Sequence, residues 1–433
     1  MEKFGPKQFL FTEGREEEHL HFLLTKRGVK ALYDCVSQCN KCAFCSRVCP
    51  AQLFEAREEQ GPRGRNMLLR FIMEGKIDLK EENYKNMSAV SRNCMLCGAC
   101  SRECFASIPT YEHMLELERK TGGRKLPLSL RFLFNFSSTN NLFFKFLVSS
   151  FKVADKLKLT VLIPGNTMKY ARAYTGGDYV FSLESKIKKL VKNIEAQTKT
   201  KKKKYVYIPS FEAKFTDVKT GLDIYNFLSE QFDINTIFTP SGMYQYVYGE
   251  LVKSRATAQK LLEEYFEISG GKTQIVTDSL ELYSFLKKYP QLFYKTDFEE
   301  KSKTFADNII FIADLLKTKK EKTTEKILLS KTNTFSAEPE LFEKAQALLK
   351  QKYGTALSGA EIQAQNYPLP GLGYVFVNPT LAARVLKQKA ALLACAQADN
   401  IYVLNLNQRK LLNFVLKKYY PKSRVCYITE VLS

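Results

Sequence analysis

Eight cysteines fall in two copies of one spacing, C-x-x-C-x-x-C-x-x-x-C. The first copy is Cys39, Cys42, Cys45 and Cys49, closed by Pro50, and the second is Cys94, Cys97, Cys100 and Cys104. Thiolates are soft donors, suited to iron–sulfur clusters or zinc. Four-cysteine zinc sites usually come as two separated C-x-x-C pairs. Here each pair overlaps the next, twice, which favours a [4Fe–4S] cube with four thiolates. Neither run lacks a ligand, so a [3Fe–4S] cluster is not expected. The remaining candidates for chemistry are weaker. Cys35 reads as a partly buried free thiol, and Cys395 and Cys426 as small core hydrophobes. His19, His21 and His113 have no metal-ligand spacing, and no Rossmann, P-loop or flavin fingerprint is present. The loop "GPRGRNMLLRF" puts Arg63 and Arg65 near a helix start; either they are solvated, or they lie beside a cluster and favour its reduced form.

The doubled run resembles bacterial two-cluster ferredoxins, in which the fourth cysteine of each run serves the other cube. That resemblance implies two [4Fe–4S] clusters with crossed ligands. Cluster one takes Cys39, Cys42, Cys45 and Cys104, and cluster two takes Cys94, Cys97, Cys100 and Cys49. Phe105 stands where the second run would carry its proline.

The elements that hold these residues read as follows. Residues 1–125 have helical spacing in "NMLLRFIMEGKIDLKEENY" and "EHMLELERK" and little strand alternation, which predicts an α-helical ferredoxin domain. Residues 126–204 form a connector with an aromatic run at 130–151 and a basic tail. From Tyr205 onward, β-rich runs alternate with helical runs: "YVYIP", "INTIFT", "TQIVT", "KILLS", "EIQAQ", "NIYVLNL" and "RVCYI". Such alternation predicts α/β structure with a largely parallel sheet. Two halves, 205–324 and 325–433, look like a duplication. A piece beginning near Tyr205 is expected to supply its own core.

Sixty-six Lys and Arg against 45 Asp and Glu give a net charge of +21, concentrated in runs such as Lys199, Lys201, Lys202, Lys203 and Lys204, and Lys317, Lys319, Lys320 and Lys322. No aromatic-interleaved nucleic-acid motif accompanies them, so they read as solvated loops or a surface for an acidic partner or anionic lipid. No apolar stretch is long enough to span a membrane, and the clustered cysteines fit a reducing compartment. The expected location is cytoplasmic, or peripheral on the cytoplasmic face of the inner membrane.

The runs, the "GPRGR" helix start and "CFASIPTYEHMLELERK" together resemble a family of iron–sulfur proteins that serve respiratory oxidoreductases. It includes the iron–sulfur subunits of glycolate and lactate oxidases, of anaerobic glycerol-3-phosphate dehydrogenase and of heterodisulfide reductase. The resemblance implies electron transfer between a flavin or hydrogenase-type partner and a quinone, cytochrome or disulfide acceptor. Longer members carry two cysteine-rich CCG domains, and the α/β half here is similar in layout without the cysteines. Pro209–Ser210, Pro240–Ser241, Ser279 and Leu282 stand at the ligand positions of the first repeat, and Leu369–Pro370, Asn405 and Gln408 at those of the second. Thiolate chemistry in that half is therefore not expected. The alternative reading is a catalytic or redox-sensing protein whose α/β half binds a ligand through Ser241, Ser279, Asn405 and Gln408.

Overall fold

The computed structural model describes residues 20–25, 28–78, 81–106, 108–121, 203–321, 323–330, 339–354, 367–369 and 374–432, with a few single positions between 150 and 187. Nearly all of the aromatic run at 130–151, together with "EIQAQ", Pro370 and Gly371, lies outside the described residues.

The N-terminal part opens with an antiparallel hairpin, β1 (Phe22–Thr25) against β2 (Gly28–Ala31). Four-residue strands are too short to show alternation, so this pair is not legible as such. Leu20 and Leu23 anchor it in the core. Helices follow: α1 (Leu32–Ser37), α2 (Pro50–Glu55), α3 (Pro62–Met73), α4 (Glu81–Arg92), α5 (Ala99–Arg102) and α6 (Thr110–Thr121). The long helical run expected between the cysteine motifs is therefore two helices, α3 and α4. The chain turns just after α3 at Gly75, which takes φ +69°. Pro62 at the first turn presets φ for α3. Gly64 is required there, since a Cβ would sit 2.2 Å from the Glu58 carbonyl oxygen. Arg65, Leu69, Ile72 and Met73 share the buried face of α3 at helical spacing.

Beyond residue 203 the strands are parallel, as their patterns predict. β3 (Lys204–Ile208), β4 (Asp233–Thr236), β5 (Gln274–Thr277) and β6 (Ile309–Phe311) form one sheet in the order β4-β3-β5-β6. β7 (Ile327–Leu329), β8 (Asn400–Val403) and β9 (Arg424–Tyr427) form another, in the order β7-β8-β9. Tyr205–Ile208 and Ile401–Val403 are continuously buried, which explains apolar runs where a half-exposed strand would alternate.

Three apolar cores cross the boundaries read from the sequence. Leu69, Met114 and Leu115 of the N-terminal part pack in one core with Tyr246, Leu261 and Phe285. Val276 and Phe311 of the first sheet share a second with Leu329 and Tyr402 of the second sheet. A third joins Cys49, Met95 and Cys97 to Leu369, Tyr374 and Val385. The core from Tyr205 onward is therefore shared in part with the N-terminal segment, whose side chains cover the Tyr246 face. Cys426 is buried as expected, but Cys395 is exposed at the end of the helix Pro379–Cys395.

Candidate iron–sulfur site

The two cysteine loops have the same backbone design. Lys41 and Ala43 flank Cys42 at φ +57° and +64°; Leu96 and Gly98 flank Cys97 at φ +52° and +68°. Non-glycine residues pay about 1–2 kcal/mol for such left-handed conformations. Turns of alternating hand gather backbone N–H groups into a concavity that suits anions, iron–sulfur sites among them. In keeping with that, the Ala99 backbone N–H acts to lower the Cys97 thiol against the rise that burial causes.

The fourth cysteine of each run leaves its own loop. One cavity, of about 120 Å³, is lined by Cys39, Cys42, Cys45 and Cys104, with Asn66 and Thr110 in its wall. Burial pushes the Cys45 thiol up to about 11, and Cys104 and Cys39 add to the rise. Cys97 is pushed up to about 12, first by burial and then by Cys49 and Cys94. Cys100 lies well above its ordinary range; burial leads, and Cys97, Cys94, Cys49 and Cys45 contribute. Cys39, Cys42, Cys45 and Cys104 thus line one cavity as one set, and Cys49, Cys94, Cys97 and Cys100 make a second set of thiols close enough to act on one another. Among the described residues no three His, Cys, Asp or Glu converge tightly enough for a single ion. A cube spreads its thiolates over four irons, so wider spacing suits it.

The two sets differ in surroundings. Cys42 is exposed, and Cys39, Cys45 and Cys104 are half-buried. Beside them Phe44 and Phe105 meet edge to face at 5.3 Å with Arg47 over the Phe44 ring, and Phe105 is 80% exposed. Cys49, Cys94 and Cys97 are buried, and Leu369, Tyr374 and Val375 pack in one core with Cys49 and Cys97. A dry shell of this kind lowers the local dielectric and makes nearby charges count for more.

The two arginines of the "GPRGR" segment part company. Arg63 stays at the surface in an ion pair with Glu58 at 2.6 Å. Arg65 is buried, with Nη1 3.9 Å from Cys49 Sγ. Asn66, next on the same helix, donates to Thr110 Oγ1 and meets His113 Nδ1 at 2.8 Å. Sequence reasoning missed Asn66, Thr110 and Tyr374. The helical phase of α3 could have flagged Asn66, but nothing local points to Tyr374, which arrives from far along the chain.

In the α/β half, several positions read as lost ligands do come together. Pro209, Pro240, Ser241 and Leu282 line one cavity of about 40 Å³ beyond β3 and β4. Ser279 and Asn405, at corresponding places after β5 and β8, meet at 3.3 Å, and Asn405 also accepts from the Glu281 N–H. Ser279, Asn405 and Gln408 are buried, and of the four residues in the alternative reading Ser241 alone lines that cavity.

Residues 38–108 match the family described as "4Fe-4S dicluster domain". The chain is 32% identical over 112 residues to lactate utilization protein B of an Exiguobacterium species, which covers 25% of this chain and 22% of that protein. It is 30% identical over 98 residues to the glycolate oxidase iron-sulfur subunit of Escherichia coli, covering 22% of each. The chain thus spans about a fifth of the length of these curated relatives. No solved structure matches. The resemblance to iron–sulfur proteins holds over the cysteine-bearing segment, which is similar to a 4Fe-4S dicluster domain.

Proposed function

We propose that this chain is an electron-transfer subunit of a larger oxidoreductase, relaying single electrons through two [4Fe–4S] clusters. The carrying observation is the cavity that Cys104 shares with Cys39, Cys42 and Cys45; the charge interactions of Cys49 with Cys97 and Cys100 support the other half of the crossing. Cubes held in this crossed fashion supply one-electron storage at two adjacent points. The thiolates hold each cube, the left-handed loops offer it backbone N–H groups, and the packed α/β half keeps water from the second set.

The exposed first set is the face for a redox partner, with Phe44, Phe105 and Arg47 around it. A flavin or hydrogenase-type subunit is the fitting donor, and a quinone, cytochrome or disulfide the fitting acceptor. The α/β half is a duplicated, degenerate CCG-like scaffold. The convergence of Pro209, Pro240, Ser241 and Leu282 on one cavity supports this, as does the meeting of Ser279 with Asn405. The strand order supports it too, since β7-β8-β9 repeats β3-β5-β6. Among the described residues no helix is long and apolar enough to cross a membrane, and the +21 charge fits a peripheral position on the cytoplasmic membrane face.

The test is anaerobic purification followed by a cysteine replacement. The native chain should carry about eight irons and eight sulfides, four of each per cube. Cys104→Ser should weaken the paramagnetic signal that Cys42→Ser abolishes, not the one that Cys97→Ser abolishes. Loss of the Cys97-dependent signal alone would overturn the crossed assignment.

A further inference from the structure

Arg65 carries a buried charge in the cysteine-bearing part. Its side chain lies on the buried face of α3 at 2% exposure. Among the described residues no carboxylate pairs with it, and its Nε and Nη2 have no hydrogen-bond partner. Its remaining guanidinium nitrogen, Nη1, is 3.9 Å from Cys49 Sγ. The groups whose charge acts on it are Cys94, Cys49, Tyr374 and Cys100, three of them members of one thiol set. Guanidinium does not lose its proton in proteins, and a buried charge without a counterion is unfavourable. Arg63, two residues away and on the other side of the helix, is only half-buried and already paired with Glu58.

We propose that Arg65 is the fixed countercharge of the buried cluster, and that it sets that cluster's potential above its neighbour's. The inference rests on the two-cluster reading. A [4Fe–4S] cube with four thiolates carries a net charge of two minus when oxidised and three minus when reduced. One electron arrives from a low-potential donor, no bond forms or breaks, and the added negative charge falls beside Arg65 in a dry shell. The reduced state therefore gains more from Arg65 than the oxidised state does. The surface cluster has Arg63 nearby, but that charge is solvated and already shared with a carboxylate. An electron entering at the Phe44–Phe105 face thus runs inward.

The test compares the full chain with Arg65→Met, Arg65→Lys and Arg63→Gln in a dithionite titration followed by electron paramagnetic resonance. Cys42→Ser and Cys97→Ser assign the two signals. Arg65→Met should lower the midpoint of the Cys97-dependent signal and leave the other in place. Arg65→Lys should restore part of the drop, and Arg63→Gln should move neither by as much. Unchanged midpoints in Arg65→Met, or an equal fall in both, would overturn the proposal. Should Arg65→Met fail to load its second cluster, thermal melting of the metal-free proteins decides. Removing an unanswered buried charge should leave metal-free Arg65→Met at least as stable as the metal-free native chain. A lower melting temperature would make Arg65 a packing residue and overturn the proposal. The iron count of the native chain separately tests the two-cluster reading: about eight keeps it, about four removes it.

Discussion

Lys288→Met is expected to be among the most damaging single changes outside the cysteine loops. Lys288, between the helices Leu280–Leu286 and Tyr289–Leu292 that follow β5, and Glu112 of α6 join the N-terminal helices to the first α/β unit, and their side chains are 5% and 0% exposed. The Lys288 ammonium lies 2.5 Å from Glu112 Oε1, donates to the Tyr111 hydroxyl at 2.6 Å and sits over the Tyr111 ring. Glu112 also accepts from the Tyr246 hydroxyl, which in turn accepts from Gln291 at 3.1 Å. Lys288→Met keeps the volume and removes the cation, leaving a buried carboxylate held by one hydroxyl. Breaking a buried pair from one side costs about 3–5 kcal/mol. Arg119, whose charge also interacts with Glu112, softens the loss, so the lower end, about 3 kcal/mol, is the better figure. Adding Glu112→Gln removes the stranded charge and should return about 2 kcal/mol, a coupling within the range for contacting residues. Guanidinium unfolding at pH 7, followed by circular dichroism and by cluster absorbance, measures both changes. The two signals should fall together, because the pair ties the cluster region to the sheet. A loss under about 1 kcal/mol, or a double variant no better than Lys288→Met, would refute the reasoning.

Further outcomes follow from other buried groups. His113 is pushed down to about 3 by burial, so the folded protein resists a proton that the unfolded chain accepts below about 6.5. Stability should fall as pH drops through that window, by up to about 1.4 kcal/mol per unit, and His113→Asn should flatten that limb in denaturation curves. Glu212 is pushed up to about 7 by burial, so it favours the folded state while protonated and loses that contribution as pH rises from about 4.5 to 7. Glu212→Gln should accordingly be more stable than the native chain at pH 8 and near neutral at pH 4. Gly242→Ala should cost more than about 2 kcal/mol in chemical denaturation, since Gly242 holds φ +84° and a Cβ would lie 2.6 Å from the Ser254 carbonyl oxygen. Replacing Phe44 and Phe105 together by Ser should slow electron exchange with the partner at unchanged iron content, read by stopped-flow reduction; unchanged rates would move the docking face elsewhere.

The sequence by itself determined the spacing of the thiols and most of the secondary structure. Cysteine spacing is local, so C-x-x-C-x-x-C dictates a loop around one centre whatever surrounds it. The parallel strands were legible because burial on both faces demands continuous apolar runs such as Tyr205–Ile208. The three-residue β6 and the hairpin β1–β2 were not, since so few residues cannot establish a period. Tertiary structure decided everything that depends on which distant residues become neighbours. Arg63 and Arg65 look alike in a string, but two positions on a helix lie about 200° apart, so packing of α3 sends one to solvent and one to Cys49. Cys395 and Cys426 sit in equally apolar segments, yet one falls on the outer side of its helix and the other in a central core. Leu369 and Tyr374 reach the core around Cys49 and Cys97 across more than 250 residues of chain, a contact no local pattern encodes. Local spacing specifies chemistry; only the burial of one element's apolar face against another chooses the charges and the solvent that chemistry meets.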